Sequence, residues 1–246
     1  MTTAPPEAQR RLLEVQGLDT RLDQIAHRRV KVPALARLIE LDGQLADLET
    51  AFVTSRTAAN DLRRGVAKAE SDVEQVRNRA TRDQTRLDSG SGTPKDLQAL
   101  QSELASLGRR QSELEEVELE VMERLEAHES VLNELTTARD ALVAQRDEVV
   151  AERDAAFAEL DADADRVGAQ RAEMAAPLDD TLLALYEKMR GRLGGVAVAA
   201  LRHGRSEGSG LMVPGTELAR IKALPPEEIV FCEDSGRILV RCEDAV

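Results

Sequence analysis

Apolar residues recur at alternating steps of three and four from Leu38 through Leu41, Leu45, Leu48, Phe52, Ala59, Leu62, Val66, Ala69, Val73, Val76 and Ala80 to Leu87. Ser55 and Asp83 are the polar members of this row, and charged residues fill most of the positions between. The pattern predicts a long helix packed through a narrow stripe. A second row runs through Leu97, Leu100, Leu104, Leu107, Leu114, Val121, Leu125, His128, Leu132, Leu135, Leu142, Val149, Ala156, Leu160, Val167 and Met174. Between the rows lies Ser89-Gly-Ser-Gly-Thr-Pro94, a turn signal followed by a helix start, with Thr93 as cap, Pro94 at the first helical position and Asp96 three residues after the cap. Pro6 and Pro177 stand equally far from the centre of that turn. Folding there sets Leu87 against Leu97, Ala80 against Leu104 and Val76 against Leu107, so the two rows face each other in one antiparallel hairpin over residues 6–176.

Three departures from the simple pattern carry expectations. Val15, Leu18, Leu22 and Ile25 continue the first row upstream, but Pro33 removes a backbone donor and disfavours helix at Val32, so a kink is expected near residues 30–34. Arg139, Arg146 and Arg153 occupy seam positions while Val143, Val150 and Phe157 open a neighbouring apolar stripe, and the contact face is expected to rotate there. Residues 1–5 are expected to be disordered. After Pro177, Leu182, Leu183, Leu185, Tyr186 and Met189 predict a connecting helix within residues 177–194.

From Gly195 the pattern changes to short β-type runs. Val196 to Ala200 reads as a strand, Thr216 to Lys222 as helical turns, and Ile229 to Phe231 with Ile238 to Val240 as a hairpin closed by Glu233-Asp-Ser-Gly236. This module, residues 195–246, has few bulky side chains. Packing of Val196, Val198, Leu211, Ile221, Leu224, Ile229, Phe231, Ile238 and Val240, together with docking onto the helices, would have to stabilise it.

Composition narrows the function classes. Only 2% of the 246 residues are aromatic and 32% are charged, which suits long helices better than a compact globular core. A net charge of −13 repels nucleic acid and acidic membranes at long range. No apolar run is long enough to cross a bilayer and the start lacks a secretory h-region, so a cytoplasmic location without membrane association is expected. Two cysteines, Cys232 and Cys242, make no disulfide framework, and a hairpin turning at 233–236 separates them. His27, His128 and His203 lie on different segments, and Gly204 to Gly210 lacks the Gly-Lys-Ser/Thr ending of a phosphate loop, so nothing points to an enzyme.

The segments Gly195-Val-Ala-Val-Ala199, Arg205-Ser-Glu-Gly-Ser-Gly210, Ile221-Lys-Ala-Leu-Pro225 and Ile229 to Val240 resemble a family of bacterial coiled-coil hairpin proteins with a C-terminal four-cysteine zinc ribbon. The resemblance implies a mainly α fold: a long antiparallel coiled-coil hairpin with a small, β-rich, zinc-ribbon-like domain. In the family each of two knuckles carries Cys-x-x-Cys. Here the corresponding residues are Ser206 and Ser209 in the first, and Cys232 and Ser235 in the second. Neutral hydroxyls are poor zinc ligands and His203 and Cys242 are badly placed to replace them, so no zinc and no other cofactor is expected.

The resemblance also implies a scaffold or adaptor, since family members have been linked to the transcription and the flagellar or secretion machinery through protein partners. Lys188, Arg190, Arg192, Arg202 and Arg205 form a local run of cations without an acid, which raises nucleic-acid binding as the alternative. Candidate partner-binding residues are Arg202, His203, Arg205, Arg220 and Lys222. A hairpin whose own seam is satisfied is compatible with either a monomer or a homodimer.

Overall fold

The interruptions in the heptad row govern where the helices begin and end. In a computed structural model, which describes residues 3–242, α1 (Pro6–Val30) stops at Lys31, where Pro33 cannot donate a helical hydrogen bond. Then follow α2 (Pro33–Asp88), α3 (Pro94–Ala175), α4 (Asp180–Arg192), β1 (Val198–Arg202), β2 (Arg205–Ser206), α5 (Gly215–Ala223), β3 (Val230–Phe231) and β4 (Ile238–Arg241). The chain divides into two compact units, Met1–Ala36 with Ala151–Val246, and Arg37–Val150.

The unit Arg37–Val150 is a two-helix coiled coil. Every seam residue from Leu38 to Leu87 is at least partly buried, and Leu38, Ala59, Ala69, Val73, Leu100 and Val149 are fully so. Gly65 lets the helices close in, since an added Cβ would lie 3.3 Å from Val121 Cγ1. Ion pairs such as Arg63–Glu129 at 2.7 Å and Arg146–Asp42 at 2.6 Å cross between the helices. Exposed pairs of this kind are each worth about 0–1 kcal/mol, so the apolar seam, not the charges, supplies most of the attraction. At the turn the Thr93 N–H donates to Asp96 Oδ2 at 2.9 Å and the Asp96 N–H returns a bond to Thr93 Oγ1 at 3.3 Å, a reciprocal cap. These bonds to Thr93 hold the Asp96 carboxyl below the usual aspartate range.

The expected second stripe forms only in part: Val150 and Phe157 are half-buried, but Val143 is not. Arg139, Arg146 and Arg153 stay at half-buried seam positions while Val143 faces outward. Each guanidinium finds a partner that makes this tolerable: Arg139 lies over the Phe52 ring at 5.7 Å, Arg146 reaches Asp42, and Arg153 pairs with its neighbour Asp154 at 2.7 Å.

In the other unit α1 serves two partners. One row, with Ile25 buried and Leu18 and Leu22 packed beside it, meets Leu160 and Val167 of α3. The other row packs on the head, which comprises β1 to β4 and α5. Among the described residues the strands form a four-stranded sheet in the order β2-β1-β4-β3, with β1 and β4 parallel and the outer pairs antiparallel. Val198, Ile238 and Val240 on one face pack with Leu12 and Val15 of α1 and Leu182, Tyr186 and Met189 of α4. Ala199, Leu201, Val230, Cys232 and Leu239 on the other face pack with Ile221 of α5. Burial on both faces explains why these strands read as continuous apolar runs.

Two expected core residues point outward instead, Leu211 and Phe231, because the first lies in a surface loop and the second on an edge strand. The lead-in expected to be disordered also differs: Thr3 bridges Glu228, the Ala4 N–H donates to Glu227 O at 2.7 Å, and Ala4 is buried. Residues 1–2 of that segment and 243–246 of the head lie outside the described residues.

Buried polar side chains join α1 to its neighbours. Gln16 donates to Gly195 O at 2.9 Å and accepts from the Ala197 N–H at 2.7 Å, so its amide completes the backbone pairing where β1 begins. Asp19, only 4% exposed, accepts from Tyr186 Oη at 2.7 Å and from Arg171 Nε at 3.1 Å, with Arg190 Nε 3.9 Å away. Burial first, then the bond to Asp19, push the Tyr186 hydroxyl well above the ordinary phenol range.

Removing this carboxylate leaves a buried phenol unpaired and takes from two partly buried guanidiniums one of the acids each faces, Glu187 remaining to Arg171 and Asp23 to Arg190. Asp19→Ala is expected to cost about 3 kcal/mol. Tyr186 is the chain's single tyrosine and there is no tryptophan, so urea unfolding of this junction can be followed by intrinsic fluorescence; an unchanged midpoint would refute the assignment.

A second expectation concerns pH. Because the folded Tyr186 value lies above the unfolded one, its contribution to stability is full below about pH 10, the unfolded tyrosine value, and is lost as pH rises beyond it. In an alkaline titration, tyrosinate absorbance should appear together with unfolding and not before it.

Candidate interaction surface of the head

The first knuckle is built on a two-residue hairpin. Arg202 pairs with Arg205, and the intervening His203 and Gly204 have φ of 47° and 70°, the left-handed pair that a tight β-hairpin turn needs. Gly204 also sits where an added Cβ would lie 3.1 Å from Leu218 of α5, which draws the hairpin tip against that helix. The Arg205–Met212 bridge then folds the loop 207–212 back along β2, and the Val213 N–H donates to Gly204 O at 2.8 Å. The result is an exposed patch: Arg202, His203 and Arg205 at the tip, with Leu211 and Met212, 58% and 60% exposed, on the adjoining loop.

Arg220 and Lys222 are exposed on α5. Arg220 is held by acids on its own side, 3.8 Å from Glu217 and 3.4 Å from Glu233, and Arg202 lies 3.7 Å from Glu207. The run of five cations does not form one surface. Arg190 turns to α1, with Nη2 2.7 Å from Asp23 Oδ1, and is mostly covered. Lys188 and Arg192 remain exposed on α4. Leu211 and Met212 were missing from the candidate surface; their place in a glycine-flanked loop between two short strands was the available signal.

The knuckle residues do not fit a metal. Ser206 is buried and Ser209 exposed, so the two do not share one environment. Ser209 Oγ accepts from the Leu211 N–H at 3.4 Å and Ser235 Oγ from the Arg237 N–H at 3.5 Å, so each hydroxyl caps its own turn. Cys232 is buried as a thiol; its N–H donates to Arg237 O at 2.8 Å across the turn, and neither it nor Cys242 is in a disulfide. Among the described residues no three His, Cys, Asp or Glu side chains come together in a metal-holding group. Glu217, buried at the start of α5 with one carboxylate oxygen that has no hydrogen-bond partner and only Arg220 at 3.8 Å, is a polar group of the head that no sequence signal singled out.

Comparison with known proteins agrees with this architecture. The family described as the CT398-like coiled coil hairpin domain matches residues 15–194, which is the helical part up to the head. The uncharacterized protein Rv2229c of Mycobacterium tuberculosis is 36% identical over 235 residues, 96% of each chain. A Mycobacterium smegmatis structure superposes with a TM-score of 0.86 at 34% identity, covering 98% of this chain and 100% of the other. The structure of CT398 from Chlamydia trachomatis shares the fold, with a TM-score of 0.70 at 15% identity over 96% and 98% of the two chains.

Zinc content tests the reading of the knuckles. The chain, saturated with zinc and then desalted, is expected to keep far less than one equivalent. The triple variant Ser206→Cys, Ser209→Cys, Ser235→Cys, which supplies four thiolates with Cys232, is expected to keep about one. Stoichiometric zinc in the parent chain would overturn this account.

Proposed function

The chain belongs to the CT398-like coiled-coil hairpin family, and from that premise we propose that it is a non-enzymatic adaptor whose head recognises a protein partner, with the transcription or secretion machinery as its setting. The observation that carries this reading is the pairing of exposed apolar side chains, Leu211 and Met212, with the exposed cations Arg202 and Arg205 on one hairpin and its return loop. Apolar contact supplies attraction and the flanking guanidiniums supply selectivity, which is how protein interfaces combine the two. No helix among the described residues is long and apolar enough to cross a membrane.

The reading favours protein over nucleic acid on two grounds. The whole chain carries a charge of −13, and Arg190 is engaged with Asp23, so the local excess of positive charge is smaller than the sequence run suggests. Base stacking also needs aromatic faces, and from Arg202 to Val213 the patch has no Phe, Tyr or Trp, the His203 imidazole being its single ring.

The test compares the full chain with Arg202→Glu/Arg205→Glu and Leu211→Ser/Met212→Ser as baits, with and without nuclease. A genuine partner of this surface is expected to be lost from both variants, with retention reduced about tenfold or more, and to persist through nuclease. Capture that is indifferent to both variants refutes the surface. Capture abolished by nuclease and steeply weakened by salt would transfer the reading to nucleic acid.

A further inference from the structure

In the family this chain resembles, a tetrahedral metal joins two knuckles that the chain carries about 25 residues apart in sequence, and here the thiolates that would hold it are absent. The knuckles are nevertheless joined. Arg237, directly after the second knuckle, donates from Nη1 to Gly208 O at 2.7 Å, and Gly208 lies within the first knuckle between Ser206 and Ser209. Its Nε donates to Val196 O at 3.0 Å, on the segment leading into β1. We propose that the Arg237 guanidinium performs the bridging that a metal ion would otherwise perform, so that the head is organised by a side chain of its own and needs no metal.

Three further observations support this assignment. The guanidinium is only partly exposed, so its bonds to carbonyl oxygens are shielded and persist better than surface contacts. Gly208 is shaped for it: an added Cβ would come within 2.6 Å of Ala199 Cβ and 3.4 Å of Arg237 Cδ, so a side chain there would lift the first knuckle off both β1 and the arginine. The backbone of Arg237 is anchored as well, since its carbonyl accepts from the Cys232 N–H at 2.8 Å and the next residue, Ile238, donates to Ala197 O at 2.9 Å. The side chain is therefore aimed by a β turn on one side and a parallel strand pair on the other.

The same device recurs at the far end of β4. Arg241 donates to Pro225 O at 2.8 Å, Pro226 O at 2.9 Å and Glu228 O at 2.9 Å, and also reaches Leu224 O at 3.1 Å and Ile221 O at 3.3 Å, which ties the end of α5 and the loop after it to the sheet. Arginine, with five donors in a rigid fork, can serve several carbonyls in this way where lysine cannot.

Backbone hydrogen exchange on the full chain tests the proposal. The N–H groups of Glu207, Gly210 and Val213, bonded to Ala200 O, Ser206 O and Gly204 O, report the first knuckle, and the helical turn at residues 85–97 serves as an internal control. Arg237→Met is expected to speed exchange at the three reporters about tenfold or more while the control is unchanged, and Arg237→Lys, which keeps the charge but not both contacts, is expected to lie between. Chelators are expected to leave the parent chain's exchange unaltered. Should Arg237→Met loosen the entire head, the same variant carrying Ser206→Cys, Ser209→Cys and Ser235→Cys decides the matter: loaded with zinc, it is expected to regain protection. Unchanged exchange in Arg237→Met, chelator-sensitive exchange in the parent, or zinc loading without recovery would each overturn the proposal.

Discussion

The Asp19 carboxylate is the constraint on which the unit holding the head depends. It is an anion taken out of water, and in isolation it would be destabilising. Tyr186 from α4 and Arg171 from α3 donate to it, and Arg190 from α4 lies beside it, so one side chain of α1 brings two other helices to a common point. One turn earlier on the same face, Gln16 binds both sides of the backbone at the start of β1. Apolar packing of Leu12 and Val15 supplies most of the attraction, but it is non-directional. The buried polar groups decide at which angle and in which register the helix and the sheet meet.

That docking changes what the head needs in order to fold. A sheet of four short strands with one small helix would be marginal alone. Here one face is covered by α1 and α4 and the other by α5, so both rows of strand side chains are buried. Arg237 and Arg241 then fasten the loops at either end of β4. The family match over residues 15–194 ends where the head begins. The mycobacterial relatives match the head as well, since the alignment with Rv2229c covers 96% of this chain and the Mycobacterium smegmatis structure 98%.

The coiled-coil unit follows a different economy. Its seam is narrow and mostly half-buried, and Arg139 and Arg146 sit in it without being expelled, as Arg153 does further along α3. A long side chain can lay its stem along the seam and extend its charge to Asp42 or Asp154, or over the Phe52 ring, so a cation at a seam position weakens the contact without breaking it. A compact core would not permit this. Solvent is always one side chain away in a two-helix packing.

The helices were legible in the linear order of residues because helix and turn formation are local. The three-and-four spacing of leucines, the Thr93–Asp96 cap, the stop before Pro33 and the matched rows on either side of Ser89 to Pro94 need no knowledge of distant neighbours. That the two knuckles carry Ser206, Ser209 and Ser235 beside a single cysteine, Cys232, was equally plain. What stayed hidden depends on contacts between residues far apart in the chain. Gln9, Gln16 and Asp19 look like surface residues of an amphipathic helix; Gln9 and Gln16 meet the head and the segment leading into it, and Asp19 meets α3 and α4, so all three are buried. Val143 looks like the start of a new stripe, yet it points outward, whereas Val150 and Phe157 are half-buried. Leu211 and Phe231 look like core, and Arg237 like an ordinary strand-flanking cation, until the sheet order places them. Periodicity reports which residues can share a face of one element; only the folded arrangement determines what that face meets.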